Sequence, residues 1–240
     1  MNIGSRWLEV TTRIGCSNMC FYCPQNTLIK SYRGQKIMRT GEFSQILANV
    51  DKNTAQIHFS GFSEAFLTDG AEHMMLEAYQ KGYQVILFTT LTGFNQEKAD
   101  FLSQNGMRFL SARIHDYPME DRSVFEKNVK IFKRANIVDT FDIEKVLGNG
   151  ASRGGKNYDV GFRYGSLSCM RFECNVVLPS GDLYLCCSDW GLKHRLGNLK
   201  MQHYDSTEID LARGSFRVLA AQYDSDILCR TCEWAYRPSE

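Results

Sequence analysis

The placement of the cysteines constrains this chain more than any other feature. Nine occur in 240 residues: three at positions 16, 20 and 23, six between 169 and 232, and none from 24 to 168. An odd number cannot be fully paired, and the frequency is well below the roughly 8–10 % of a disulfide scaffold. No charged-then-apolar leader opens the sequence. Reduced thiols in a cytoplasmic setting are therefore expected, available as metal ligands or nucleophiles. The gap divides the chain into a head motif, a long middle and a cysteine-rich tail.

Composition narrows the class. Lys and Arg total 28 against 27 Asp and Glu, a net charge of +1 with no long run of either sign. That balance offers no basic face for neutralising phosphates, so nucleic acid is not an expected partner. The longest apolar stretches, such as Val85–Phe88, fall far short of the roughly 20 residues that cross a bilayer, so no membrane is expected either. With 43 % hydrophobic residues and four prolines, the profile is globular rather than disordered.

The middle alternates strand and helix patterns. Trp7–Ile14, Ala55–Ser60, Tyr83–Thr90, Met107–Ile114 and Ile137–Val146 read as strands, with a sixth within Tyr158–Arg163. A helix between the second and third opens on a capping box at Asp69–Glu72 and closes at Gly82. Others span Asn95–Asn105 and Glu120–Ala135. This alternation predicts an α/β fold with a parallel sheet and function at the carboxyl ends of its strands. The tail changes character: Cys174–Cys187 reads as a β-hairpin turning at Pro179–Asp182, and Thr207–Gln222 as a helix.

Two cysteine patterns carry chemistry. Gly15-Cys16-Ser-Asn-Met-Cys20-Phe-Tyr22-Cys23-Pro24 places CxxxCxxC directly after the first predicted strand. Three thiolates on one short loop can hold three irons of a 4Fe–4S cube and leave the fourth iron open to a small molecule. On spacing alone, zinc completed by a tail thiolate is the alternative. In the tail, a cysteine before the hairpin, another closing it and a late Cys229-x-x-Cys232 supply four thiolates. Four enclose a metal centre fully, as zinc or as iron–sulfur.

With Tyr22 before its last cysteine, the head motif resembles the signature of radical S-adenosylmethionine (SAM) enzymes. The resemblance implies a partial (β/α)6 barrel over residues 1–160 and a 4Fe–4S cluster on Cys16, Cys20 and Cys23. The open iron would chelate SAM, and a reductant such as flavodoxin or ferredoxin would drive its cleavage to a 5′-deoxyadenosyl radical. Ser60-Gly61-Phe62-Ser63-Glu64 resembles the family's GGEP segment, which makes Gly61, Ser63 and Glu64 expected cofactor contacts; Ala65 stands where proline is usual. Tyr22 joins that set from the head motif and Thr90, Ser111 and Arg113 by position at strand ends, although the Asn-Gly of the related Thr-Asn-Gly segment is absent here.

The tail's GDxYxCC hairpin, the following Asp189-Trp190, Gly197-Asn198 and the closing CxxC resemble the SPASM/twitch extension of the same family. The shorter twitch form fits best. It implies a small domain over residues 161–240, a β-hairpin and helix carrying an auxiliary 4Fe–4S cluster on Cys169, Cys186, Cys229 and Cys232. Cys187 adjoins a ligand and is the alternative to Cys186; Cys174 is expected as a buried hairpin residue.

A four-thiolate cluster has no open iron but can accept an electron. A radical formed on a hydroxyl-bearing carbon must lose one electron and one proton to become a ketone, which needs such a sink and a base. Glu9-Val10 and Ser152-Arg153-Gly154-Gly155 resemble segments of twitch-type aminocyclitol (2-deoxy-scyllo-inosamine) dehydrogenases, so Glu9 and Arg153 are the implied catalytic, substrate-facing residues. Phe88 stands where those enzymes carry tyrosine. The expected function is radical oxidation of a small sugar or cyclitol alcohol. Peptide maturation and sugar epimerisation are alternatives in the same family, and no leader-peptide-binding segment is evident. A zinc-stapled, non-enzymatic binding module is the alternative from a different class.

Overall fold

The computed structural model describes residues 6–238 apart from Met19, Phe21, Thr54, 118–121 and 146–150. Its strands are β1 (Arg6–Val10), β2 (Ala55–Phe59), β3 (Val85–Thr89), β4 (Phe109–Asp116), β5 (Val138–Lys145), β6 (Cys174–Val177), β7 (Asp182–Tyr184) and β8 (Arg195–Asn198). They form one sheet in the order β5-β4-β3-β2-β1-β6-β7-β8. Every pairing from β5 to β6 is parallel. The two pairings beyond are antiparallel. Helices α1 (Gln25–Ser31) and α2 (Thr40–Leu47) connect β1 to β2. Helices α3 (Ala71–Gln80), α4 (Gln96–Gln104) and α5 (Ser123–Ala135) follow β2, β3 and β4, and α6 (Thr207–Ala221) packs on β8. Six parallel strands with crossover helices, extended by a hairpin and a helix, make the expected mixed α/β architecture.

Strand periodicity sorts the side chains onto two faces. Leu8, Val10, Ile57, Phe59, Val85, Leu87, Ala112 and Ile114 are buried and join the main core beneath the helices. The opposite parity is polar and aromatic: Trp7 and Glu9 on β1, His58 on β2, Phe88 on β3, Arg113 and His115 on β4, Glu144 on β5. In register, Glu9 lies beside His58 and Phe88 beside Arg113. A curved parallel sheet puts this second set on its concave side, where a barrel keeps its chemistry.

The structure departs from the sequence reading in four places. The sixth parallel strand is Cys174–Val177, not a run within Tyr158–Arg163. Gly161, at φ +74°, interrupts that run, and its backbone serves the tail instead, Arg163 N donating to Arg230 O at 2.9 Å. β6 is buried at every position, as a strand covered on both faces must be. Strand β1 stops at Val10; Thr11 N still reaches Val177 O, and the chain then turns so that Ile14 N meets Lys36 O. Helix α3 has no capping box, because its N-cap is Gly70 in the left-handed region. Glu72 instead accepts from Lys98 Nζ at 3.2 Å. Finally, β4 runs on to Asp116, which leaves Ser111 and Arg113 in mid-strand. The expected helix start at Glu120 and strand end at Val146 lie outside the described residues. Among the described residues no helix is long and apolar enough to cross a membrane.

Candidate functional site: two thiol groups around a barrel mouth

The head loop leaves β1 and folds back on itself, Cys23 N donating to Cys20 O at 2.9 Å. Cys16, Cys20 and Cys23 are free and partly exposed. Burial pushes the Cys23 thiol up to about 11, with Arg153 opposing and Cys20 and Cys16 adding to the rise. Cys20 is raised too, first by burial, while the neighbouring Tyr22 hydroxyl opposes and the Cys16 and Glu64 charges add to the rise. Groups that repel one another's charged forms sit close together, and a cationic partner would favour the thiolates of Cys20 and Cys23. Polar anchors fix the loop: Asn18 Nδ2 donates to Thr90 Oγ1 at 2.8 Å, the Gln25 amide to the Phe62 carbonyl, and the Asn157 amide to the Tyr22 carbonyl.

The segment after β2 is shaped by contact with β1. Gly61 has φ +83°, and a Cβ there would stand 2.3 Å from Thr11 Oγ1; that hydroxyl also accepts from Phe62 N at 3.1 Å. Glycine is needed for the backbone crossing itself. Glu64 is 5 % exposed. Its Oε1 accepts from Thr89 Oγ1 at 2.7 Å and Phe66 N at 3.3 Å. Its Oε2 accepts from Thr90 N at 2.6 Å and Thr90 Oγ1 at 2.7 Å. Those four bonds fill a carboxylate's acceptor positions, so Glu64 ties the β2 loop to the end of β3. The hydroxyls of Ser60 and Ser63, buried without partners among the described residues, are the polar atoms this loop leaves open.

Glu9 and Arg153 both act on the Cys187 thiol. Glu9 is 6 % exposed; burial raises its carboxyl above the usual range, against the opposing pull of Arg171 and of Cys187, Trp7 and Ser60 beside it. Arg153 stands at φ +54° in a loop clamped to the tail. Ser152 N donates to Glu233 Oε2 at 2.7 Å and Thr231 Oγ1 to Gly154 O at 3.2 Å. The clamp leaves Arg153 Nε buried and unpartnered among the described residues, and the guanidinium acts on Tyr22, Cys23, His115 and Cys187.

On the same face, Arg113 lies 3.6 Å from Glu144 and above the Phe88 ring at 5.7 Å, and Ser111 precedes it by two residues on β4. His58 stacks between Trp7 at 5.0 Å and Phe88 at 5.9 Å, and burial holds its imidazole down at about 4. Sequence reasoning missed Trp7, His58, His115 and Arg171. Their shared strand parity with Glu9, Phe88 and Arg113 was the available signal for the first three.

The tail thiols form a second group. Cys169, Cys186, Cys229 and Cys232 line one cavity with Phe172, Leu185 and Leu228. Cys187 is not among its walls: it lies in the turn that follows, where Asp189 N donates to Cys186 O at 3.1 Å. Arg171 Nη1 lies 3.1 Å from Cys187 Sγ. Cys174 also faces Glu9, Arg171 and Cys187. Burial, followed by Cys169 and Cys232, pushes Cys229 up to about 12. The four thiols that line the cavity are a donor set that fits a metal centre. Asp189 holds the two halves of the cavity together: it accepts from His194 N at 2.7 Å, and His194 Nε2 accepts from Leu228 N at 3.4 Å.

A partial parallel barrel, a three-cysteine loop after its first strand and a cysteine-bearing hairpin beyond its last define the fold of radical SAM enzymes with a C-terminal auxiliary region. Three solved structures show the likeness. BtrN in complex with AdoMet and 2-DOIA matches with a TM-score of 0.68 at 16 % identity, over 93 % of this chain and 89 % of that one. The enzyme anSMEcpe with bound AdoMet gives 0.60 at 15 % identity, over 96 % and 84 %. Streptococcus suis SuiB bound to its precursor peptide SuiA gives 0.52 at 9 %, over 95 % and 69 %. No family model and no curated protein matches. At these identities the likeness is one of fold.

Proposed function

We propose that the chain is a radical SAM oxidoreductase that oxidises a hydroxyl-bearing carbon of a small sugar or cyclitol. One observation supports the reading: Arg153 acts on the head-loop Cys23 and, with Glu9, on Cys187, and Arg171 beside Cys187 also lines a four-thiol cavity. Cys16, Cys20 and Cys23 would hold the SAM-binding cluster, and Cys169, Cys186, Cys229 and Cys232 an auxiliary one. When bound, these groups supply a hydrogen-abstracting 5′-deoxyadenosyl radical and an acceptor for the electron the substrate then loses.

The chain's own residues do the rest. Arg153 and Glu9 orient the substrate's hydroxyls. Glu9, a carboxyl shielded from water, takes the hydroxyl proton onto a carboxylate oxygen as the carbonyl forms. The Trp7–His58–Phe88 stack lines the inner face beside Glu9 and shields it from water. BtrN, the match of highest TM-score reported above, was crystallised with AdoMet and 2-DOIA, which favours a small-molecule substrate; SuiB with its bound peptide keeps peptide maturation as the competing reading. The test is anaerobic: reconstituted, reduced protein should convert SAM to 5′-deoxyadenosine and carry about eight irons per chain, four per cube. Two zincs and no cleavage would refute it.

A further inference from the structure

Arg230 stands between two of the four cavity thiols, on the turn Leu228–Thr231 that carries Cys229 and leads into Cys232. It is 1 % exposed. Its Nη1 donates to the carbonyls of Arg163, at 2.9 Å, and of Gly165. Its Nη2 donates to those of Ala220, at 3.3 Å, and of Gln222, and reaches Ser225 Oγ at 3.4 Å. All five acceptors are neutral, and among the described residues no carboxylate pairs with the guanidinium. Nε is buried with no partner among them either. Glu233, close by in sequence, turns instead to Ser152 N and the Tyr158 hydroxyl. Arg213 is the contrast: it is equally buried, and Asp210 pairs with it. A charge enclosed without a counter-charge is costly even when its hydrogen bonds are made. Arg230 therefore calls for an anion, and the groups beside it that can become one are the thiols that flank it.

We propose that Arg230 is the counter-cation of the four-thiol centre and sets how favourable electron transfer into that centre is. The inference rests on the auxiliary cluster of the reading above and goes beyond it, assigning the tuning of that cluster to one residue. Four thiolates outweigh the positive core they hold, so the whole is anionic, and one added electron makes it more so. A fixed cation nearby favours the more negative state. At an effective dielectric of about 20, a unit charge about 12 Å away changes such an equilibrium roughly tenfold. Burial keeps that effect from being screened by salt. The electron is the one the substrate carbon loses on oxidation, and its proton goes to Glu9. Arg230 itself makes and breaks no bond, and its guanidinium stays protonated throughout. Its hydrogen bonds hold the cation in place. They tie Arg163, Gly165 and the end of α6 to the turn, so the charge cannot swing out to water.

The test reads a potential and needs neither substrate nor SAM. Replacing Cys16, Cys20 and Cys23 together by alanine leaves the tail centre as the one iron–sulfur group of the full chain. This background should hold about four irons per chain. Its midpoint potential is titrated with dithionite and mediators and followed by electron paramagnetic resonance. Arg230→Gln removes the charge and should make reduction about tenfold less favourable, a fall of about 59 mV for one electron. Arg230→Lys keeps the charge but loses the fork of hydrogen bonds, and its potential should stay close to that of the background. Iron retained in Arg230→Lys but lost from Arg230→Gln would likewise support a counter-charge. Equal potentials in all three chains, or the same fall in Arg230→Lys as in Arg230→Gln, would overturn the proposal. Loss of iron from both variants would overturn it too, marking Arg230 as a structural anchor alone. No tail irons in the background chain would overturn the auxiliary-cluster reading and this proposal with it.

Discussion

The two thiol groups are built in opposite ways. The head group lies on one loop of eight residues, half-exposed, held by side-chain anchors such as Asn18 to Thr90. The tail group is collected from three separate segments, with Cys186, Cys229 and Cys232 buried, and its cavity is closed by apolar residues. A local loop can present an open metal to a ligand and still be repaired by its neighbours. A distributed, enclosed site links distant parts of the chain and should matter more to stability than to ligand access.

Experiments can break that contrast. The largest effect is expected from Cys20→Ala, which should abolish 5′-deoxyadenosine formation while about four irons per chain remain, read by metal analysis. Cys229→Ala should do the reverse: SAM cleavage persists, the tail irons are lost, and the melting temperature falls more than in Cys20→Ala. Gly61→Ala forces a Cβ against Thr11 at a left-handed backbone position and should cost about 2–3 kcal/mol in a urea titration.

His58 tests the aromatic inner face of the barrel through pH. Its folded value near 4 lies below the ordinary 6.5, so its contribution is complete above pH 6.5 and is lost as pH falls through 4. That loss is at most about 3 kcal/mol, and His58→Gln should flatten the stability profile across this window. The smallest effect is expected from Asn18→Ala, about 1 kcal/mol for one loop anchor, with a measurable rise in the SAM concentration needed for half-maximal cleavage.

What could be read beforehand follows the same contrast. The head motif was legible because spacing alone brings its thiols together. The choice between Cys186 and Cys187 was not. The hairpin has a register shift between Leu183 and Tyr184, and a count of alternating positions fails across it. Glu64 was visible as a ligand-side carboxylate, but its use by Thr89 and Thr90 depends on how β2 and β3 end side by side. The polar barrel face around His58 carries no motif, only parity. The sixth strand was read as half of a hairpin, because its antiparallel partner is near in sequence and its parallel partner, β1, is not.

That pairing has a consequence for how the protein is made. β1 is made long before β6, and its outer edge is completed only by Cys174–Val177. At about 5–20 residues per second, the edge stays bare for roughly ten to thirty seconds of synthesis. During that wait, β1 pairs with β2 or with a foreign strand. Stalled chains ending before residue 174 should therefore aggregate or recruit chaperones, whereas chains a few residues longer than the hairpin should not.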